Sequence, residues 1–252
     1  MERKIKTLLI GESWTVQIVE TKGFDVFYAN YYEEGINYIK PALTTDEIEF
    51  HHLPCHRISV DFPTTLKNLQ EYDVILISDV GANTFLLPIE TFLHGKKRVN
   101  KLSMLKDFVL EGGGLCMVGG YLSFMGIEGK GKYHDSKLEE VLPVNFLTHD
   151  DRQEHPEGLE IAIDPATHQI FTDMPTSISG ILGYNKAIAK KEGTVIATVE
   201  NDPFIVLGEY GKGRSIAYAT DCAPHWSSPE FCESSVYSTL WQNMVKWLSK
   251  RI

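Results

Sequence analysis

Short apolar runs separated by glycine, proline and polar clusters recur along the chain, and their order points to an architecture. Ile5 to Ile10 is continuously apolar apart from Lys6 and Thr7 and ends in Gly11-Glu12-Ser13-Trp14, the pattern of a buried strand stopping at a loop over a sheet edge. Residues 36–43 read as helix, and the polar–apolar alternation from Glu49 to Leu53 predicts a second strand running into a Pro54-Cys55-His56 turn. Leu66, Leu69 and Tyr72 mark a short helix, after which Asp73 to Asp79 forms the clearest strand, bounded by Gly81-Ala82-Asn83. Its unbroken branched aliphatics require burial on both faces, as in a parallel sheet covered by helices.

From Lys101 to Glu111, Leu102, Leu105, Phe108 and Val109 share one helical face, and Gly112-Gly113-Gly114 stops the helix. Leu115 to Val118 then enters Gly119-Gly120-Tyr121-Leu122-Ser123, so that helix, glycine stop, strand and glycine turn follow the order of a βαβ crossover. Residues 126–157, rich in glycine, charge and proline, predict a functional or contact loop region. Strand grammar returns over 194–199, 204–210 and 215–219, the last two joined at Gly211-Lys212-Gly213 as a hairpin, and Val236, Leu240, Met244 and Trp247 place a helix over 234–251. The expected fold is therefore α/β, with a mainly parallel sheet and a C-terminal β-hairpin.

Composition narrows the class without changing this picture. A chain of 252 residues with 43% hydrophobic and 23% charged positions excludes disordered, collagenous and coiled-coil proteins, and one domain over residues 1–252 is expected. With 24 basic against 34 acidic residues the net charge is −10 and no broad basic face offsets it, which argues against nucleic acid and anionic membranes as partners. The N-terminus carries no signal-like apolar segment, no apolar stretch reaches about 18 residues, and Cys55, Cys116, Cys222 and Cys232 lack CxxC spacing. Reduced thiols and a cytoplasmic location are expected.

Ligands of open α/β sheets bind outside the carboxyl ends of the strands, where loop amides and helix N-termini converge. That rule selects Glu12, then Ser78, Asp79 and Asn83, then Gly119 to Ser123, and finally Asp221, Pro224, His225 and Trp226. Gly119 to Ser123 has the placement of a nucleophile elbow with Tyr121 at its centre; the alternative is a glycine turn that only packs helix on sheet. His225 could act as a general base over that turn or as a packing residue beside Trp226, and Asp221 could orient it or cap the next turn. Glu12 and Asp79 could form a carboxylate pair for acid–base work or for gripping a cation or sugar hydroxyls, or could cap loops. His51, His52 and His56 do not make a metal set, because adjacent strand residues face opposite ways. Cys116 is expected in the core and Cys222 near the site. Phe24, Phe27, Tyr28, Tyr31 and Tyr32 are expected in the core or at an interface.

Taken together, Gly11 to Trp14, Lys22-Gly23-Phe24-Asp25, Ser78 to Asn83, Gly112 to Phe124, Leu142-Pro143-Val144, Asp150-Asp151-Arg152, Gly183-Tyr184-Asn185, Gly211 to Arg214 and Ala219 to Trp226 resemble a bacterial cytoplasmic family grouped with class I glutamine-amidotransferase-like domains, related to trehalose-utilisation-like proteins. The resemblance implies a flavodoxin-like three-layer αβα fold. It also implies an elbow cysteine with a His-x-Glu pair near the C-terminus, but here Tyr121 stands at the elbow and His225 is followed by Trp226 and Ser227.

The expected function is a glutamine-amidotransferase-like protein without the Cys-His-Glu triad that binds or hydrolyses a small polar metabolite or carbohydrate. Tyr121, His225 and Asp221 are the catalytic candidates, with Gly120-Tyr121 amides as oxyanion donors. Glu12, Asp79, Asn83, Gly120, Ser123 and Trp226 are the binding candidates. No metal or cofactor is assigned, and the partners are a small-molecule ligand and further copies of the chain. Two other readings are a non-catalytic assembly or sensor protein using loops 126–157, and a glutaminase working through a displaced thiol, Cys116 or Cys222.

Overall fold

A computed structural model describes residues 3–164 and 166–252. Its centre is a seven-stranded sheet built from β1 (Ile5–Gly11), β4 (Ile48–Leu53), β5 (Val74–Ser78), β6 (Gly114–Val118), β11 (Thr194–Val199), β12 (Asp202–Tyr210) and β13 (Gly213–Tyr218). The spatial order is β11-β12-β13-β6-β5-β1-β4. Strands β4, β1, β5, β6 and β13 are parallel to one another, while β12 runs antiparallel to both β13 and β11.

Alternation along the central strands makes the three layers. Leu9, Leu76, Cys116, Val118 and Tyr218 face one core with α1 (Ile39–Leu43) and α8 (Ser235–Leu248), to which Leu240, Trp241 and Met244 contribute. Leu8, Ile10, Ile75, Ile77, Leu115 and Met117 face the other, under α2 (Ile58–Asp61), α3 (Leu66–Leu69), α4 (Ala82–Leu86) and α6 (Lys101–Leu110). A short α5 (Ile89–His94) follows α4 with no buried residue. Both faces of each central strand are removed from water, as its run of aliphatics predicts.

Two smaller ribbons flank the sheet. Strand β8 (Arg152–Ala162) pairs with β9 (Ser177–Asn185), and β7 (Val144–Phe146) with β10 (Ala187–Ala189), all antiparallel. The 126–157 stretch is not a free contact loop: Tyr133, Leu138, Val141, Leu142 and Val144 from it are buried in the second core. The hairpin over β12 and β13 exists but sits inside the central sheet. The C-terminal hairpin is corrected, because the chain ends in two helices, α7 (Pro229–Cys232) and α8.

The largest departure from the sequence reading lies at residues 13–34, where a loop is expected only as far as Trp14 and no element is assigned over the rest. Here β2 (Ser13–Lys22) and β3 (Asp25–Glu34) form a ten-rung antiparallel ribbon that leaves the body. Gly23, at φ 65, opens the two-residue turn at its tip, where a primed hairpin turn needs glycine. At its base the ribbon meets the 55–57 turn, where the Cys55 amide donates to Ser13 Oγ at 2.7 Å and Tyr32 packs edge-on against His56. Phe24, Phe27, Tyr28, Tyr31 and Tyr32 are all exposed, so the core placement is wrong for every one of them.

Candidate functional site

The carboxyl ends of β1, β5, β6 and β13 converge, and the turns leaving them build one open cavity of about 290 Å³. Its lining comprises Glu12, Trp14, Asp79, Tyr121, Asp221, Ala223, Pro224 and His225. Close strand packing fixes the first turn. A side chain at Gly11, which sits at φ 113, would bring a Cβ within 1.8 Å of the Ser78 carbonyl oxygen. Glu12 and Asp79 leave their strands at positive φ, 46° and 43°, a conformation disfavoured for most side chains and more tolerable for Asp than for Glu. Both carboxylates are thereby turned in over the sheet edge.

Each carboxylate is held differently. The Ser78 hydroxyl donates to Glu12 Oε1 and also lies 3.5 Å from Cys222 Sγ. Asp79 Oδ1 accepts from the Leu122 amide at 2.7 Å, and the Asp79 amide donates to Ser123 Oγ at 3.1 Å. Asp221 Oδ1 accepts from the Ala223 amide at 3.2 Å while its Oδ2 lies 3.5 Å from His225 Nδ1. The imidazole stands edge-on to the Tyr121 ring, with centroids 4.0 Å apart, and stacks on Trp226. Trp226 is fixed by donating Nε1–H to Glu154 Oε2 at 2.9 Å, and the Arg152 guanidinium covers Tyr121 at 4.8 Å.

Crowding carboxyl groups in a partly dry site raises the pKa of two of them, Glu12 and Asp79. Burial, reinforced by Asp221 and Asp79, raises the Glu12 carboxyl well above its ordinary range. Burial and then Asp221 push Asp79 up to about 6. Burial disfavours the imidazolium of His225, but the hydrogen bond and charge of Asp221, with Asp79 and Glu154, outweigh it and raise its pKa. Burial, followed by Glu154, raises Tyr121, so its phenol stays protonated at neutral pH. The site thus offers a carboxyl raised well above its ordinary range, a second pushed to about 6 and an Asp–His pair in one cavity, the groups that hydrogen-bonding to a polar ligand and general acid–base catalysis require.

Six of the residues selected from sequence, Glu12, Asp79, Tyr121, Asp221, Pro224 and His225, line this cavity. Ser123 and Trp226 are buried behind it and hold Asp79 and His225 in place. Asn83 is misplaced: it is exposed within α4 and outside the lining. The elbow is also corrected. No helix follows Gly120; the chain passes through turns to residue 127, and the Gly120 amide is already bonded to Asn185 Oδ1 at 2.8 Å, so it is not an oxyanion donor. Gly120 at φ 142 instead lets the backbone approach Asp79, whose Oδ1 would lie 3.2 Å from a Cβ there.

Trp14, Ser78 and Cys222 contribute to the site from the strand ends. The Asn185–Asp151 pair supports it from behind and was not selected from sequence as functional. Asp151 accepts from the Met125 and Gly126 amides and from Asn185 Nδ2, all at 2.8 Å, tying the turn after β6 to the end of β9. Among the described residues, two groups bring three metal-type donors within 4.8 Å: Glu12, Asp221 and Cys222, and His134, Asp135 and Glu139. In the second, Glu139 is already engaged by the Asp135 and Phe146 amides and staples a loop.

A family model described as "Putative glutamine amidotransferase" matches residues 6–250. The chain belongs to this family. Among solved structures it is similar to Cytoplasmic Protein STM3548 from Salmonella typhimurium, with 41% identity and a TM-score of 0.92 over 96% of this chain and 98% of that one. Cytoplasmic Protein STM1381 from Salmonella typhimurium LT2 gives 43% identity and 0.91 over 96% and 99%. A ThuA-like protein from Parabacteroides merdae, at 8% identity and a TM-score of 0.58 over 99% and 91%, shares the fold. No curated protein matches the chain.

Within this glutamine-amidotransferase-like frame no Cys-His-Glu triad is assembled among the described residues. Tyr121 occupies the turn after β6. Cys116 is buried in mid-strand, and burial drives the Cys116 and Cys222 thiols far up. Burial pushes Cys55 to about 11 and Cys232 to about 12. A thiolate nucleophile is favoured by the opposite environment, partly exposed and electropositive.

Proposed function

We propose that the chain, acting as one cytoplasmic domain, binds a small polar metabolite carrying hydroxyl or amine groups, such as a carbohydrate, and transforms it by acid–base chemistry without a thiol intermediate. The carrying observation is the convergence of Glu12, Asp79, Asp221 and His225 on one cavity, with Asp79 poised near 6. In this reading Glu12 donates a hydrogen bond to the ligand, Asp79 and His225 exchange protons with it, and Asp221 orients His225. Tyr121 and Trp14 form aromatic walls, suited to the apolar faces of a sugar ring or to an ammonium group. Hydrolysis is the simplest reaction class for such a set, since water supplies the nucleophile once a base accepts its proton. The high thiol pKa values speak against a glutaminase using Cys116 or Cys222.

The test is a thermal-shift screen of sugars, amino acids including glutamine, small carboxylates and polyamines on wild type, His225→Ala and Asp79→Asn, because a ligand bound only by the native state raises the midpoint. The expected result is a hit in the wild type that is lost in both variants. A hit retained in both would remove the cavity from the function. A panel without hits would favour the second reading, a non-catalytic assembly or sensor protein, for which the exposed β2–β3 ribbon is the favouring observation.

A further inference from the structure

The β2–β3 ribbon has no reason to persist on its own. An isolated two-stranded hairpin is marginal in water, yet this one exposes nine large apolar side chains, from Trp14 to Tyr32, with Phe24 at the tip fully bare. Its register divides them between two faces. Trp14, Val16 and Ile18 lie opposite Glu33, Tyr31 and Ala29 on one, and Val19 and Thr21 lie opposite Tyr28 and Val26 on the other. The ribbon is also acidic: Glu20, Asp25, Glu33 and Glu34 stand against Lys22, leaving −3 over residues 13–34.

A second unpartnered apolar surface lies elsewhere on the chain. The segment around α5 exposes Leu87, Ile89, Phe92 and Leu93. Beside it runs a groove of about 240 Å³ whose lining includes Val60, Pro63, Pro88 and Val99, with Arg98 and Lys101 at its rim. Residues 87–101 carry Lys96, Lys97, Arg98 and Lys101 against Glu90, a net +3 in a protein whose total is −10. One surface is convex, apolar and acidic, and the other is concave, apolar and basic. The chain therefore carries both halves of a complementary contact.

We propose that the β2–β3 ribbon is an assembly arm that seats in the groove between α2 and α6 of a second copy of this chain. Self-association through two different patches closes either as a reciprocal dimer, each arm in the other's groove, or as a ring. A stable interface takes roughly 800 Å² from each partner, and nine half-exposed large side chains, the aromatic ones worth about 150–250 Å² each when fully buried, can supply an area of that order. The proposal does not depend on what the strand-end cavity binds.

Light scattering with size-exclusion chromatography at about 10 μM and 0.15 M salt tests it with three full-length variants. Glu20→Lys with Asp25→Lys reverses the arm, Lys97→Glu with Arg98→Glu reverses the groove, and a third chain carries all four changes. All four positions are exposed, and circular dichroism verifies that the variants fold. Wild type is expected to be a discrete oligomer, each reversal to weaken association at least tenfold, and the quadruple variant to regain assembly. A monomeric wild type, an arm or groove reversal without effect, or a quadruple variant weaker than either parent would each overturn the proposal. Arm-to-arm pairing would show as insensitivity to the groove reversal.

Discussion

Replacing Asp79 by asparagine should make the protein more stable, and the size of the gain follows from the site. Burial and the neighbouring Asp221 lift this carboxyl from 3.8 to about 6. At about 1.4 kcal/mol per unit, holding it ionised at pH 8 costs the fold about 3 kcal/mol. Asparagine keeps an acceptor for the Leu122 amide and suits the left-handed backbone at φ 43, but it forfeits the charge assistance in that bond. Solvent at the cavity mouth trims the cost as well, so a net gain of about 1–3 kcal/mol is expected. For a chain of this length that corresponds to about 2–10 °C in melting temperature.

The pH dependence carries the discriminating information. Because the folded-state pKa is raised, the favourable contribution of Asp79 is complete below about pH 3.8 and is lost as pH climbs through about 6. The advantage of Asp79→Asn should therefore be small at pH 4, grow across pH 4–6 and level off above about pH 7. Urea denaturation of both proteins at pH 4, 5, 6 and 8 measures it. An asparagine variant less stable than wild type at pH 8, or an advantage equal at pH 4 and pH 8, would refute the reasoning. A carboxylate whose removal stabilises the fold is held there for a ligand, which is why the same variant is expected to lose binding.

Two further outcomes follow from geometry. Gly11→Ala should give insoluble or unfolded protein, since its Cβ would sit 1.8 Å from the Ser78 carbonyl oxygen at φ 113; a soluble variant with wild-type melting would show that β1 and β5 can separate. Iodoacetamide at pH 7.5 should label native protein only slowly and mainly at Cys55, the one thiol not fully buried, without changing ligand binding; rapid modification of Cys222, read by peptide mass spectrometry, would return a thiol to the mechanism.

The layers were legible wherever burial is two-sided. Val74–Ile77 and Leu115–Val118 are apolar throughout because both faces are covered, and a sequence pattern reports coverage directly. The strand-end rule found six cavity residues for the same reason, since the ends of buried strands can be located from their glycines and first polar side chains. Residues 15–34 carry no assignment in the sequence reading because most of their length packs on nothing in the body, so no buried face marks the strands. A Gly-Phe pair between two β-rich runs, Gly23-Phe24, was the available signal. The Tyr121 turn was read as an elbow because glycines before a polar residue fit either a strained turn or a close backbone approach. The contact with Asp79 that distinguishes them is 41 or more residues distant in sequence. Asn185 and Asp151 belong to that same class of long-range pairing.

The ribbon is rooted at the cavity: Glu12 ends the body, Ser13 begins β2, and Trp14 is at once the second residue of the arm and part of the cavity wall. This makes the hairpin a lever of very unequal lengths. At about 3.3 Å per residue its tip lies some 30 Å beyond the base, while Trp14 lies about 5 Å from the pivot. A displacement of 3 Å at the tip is thereby reduced to roughly 0.5 Å at the indole. Whatever grips the distant end, even loosely, sets the position of that wall to a fraction of an ångström, so mechanical slack far from the chemistry becomes fine adjustment next to it.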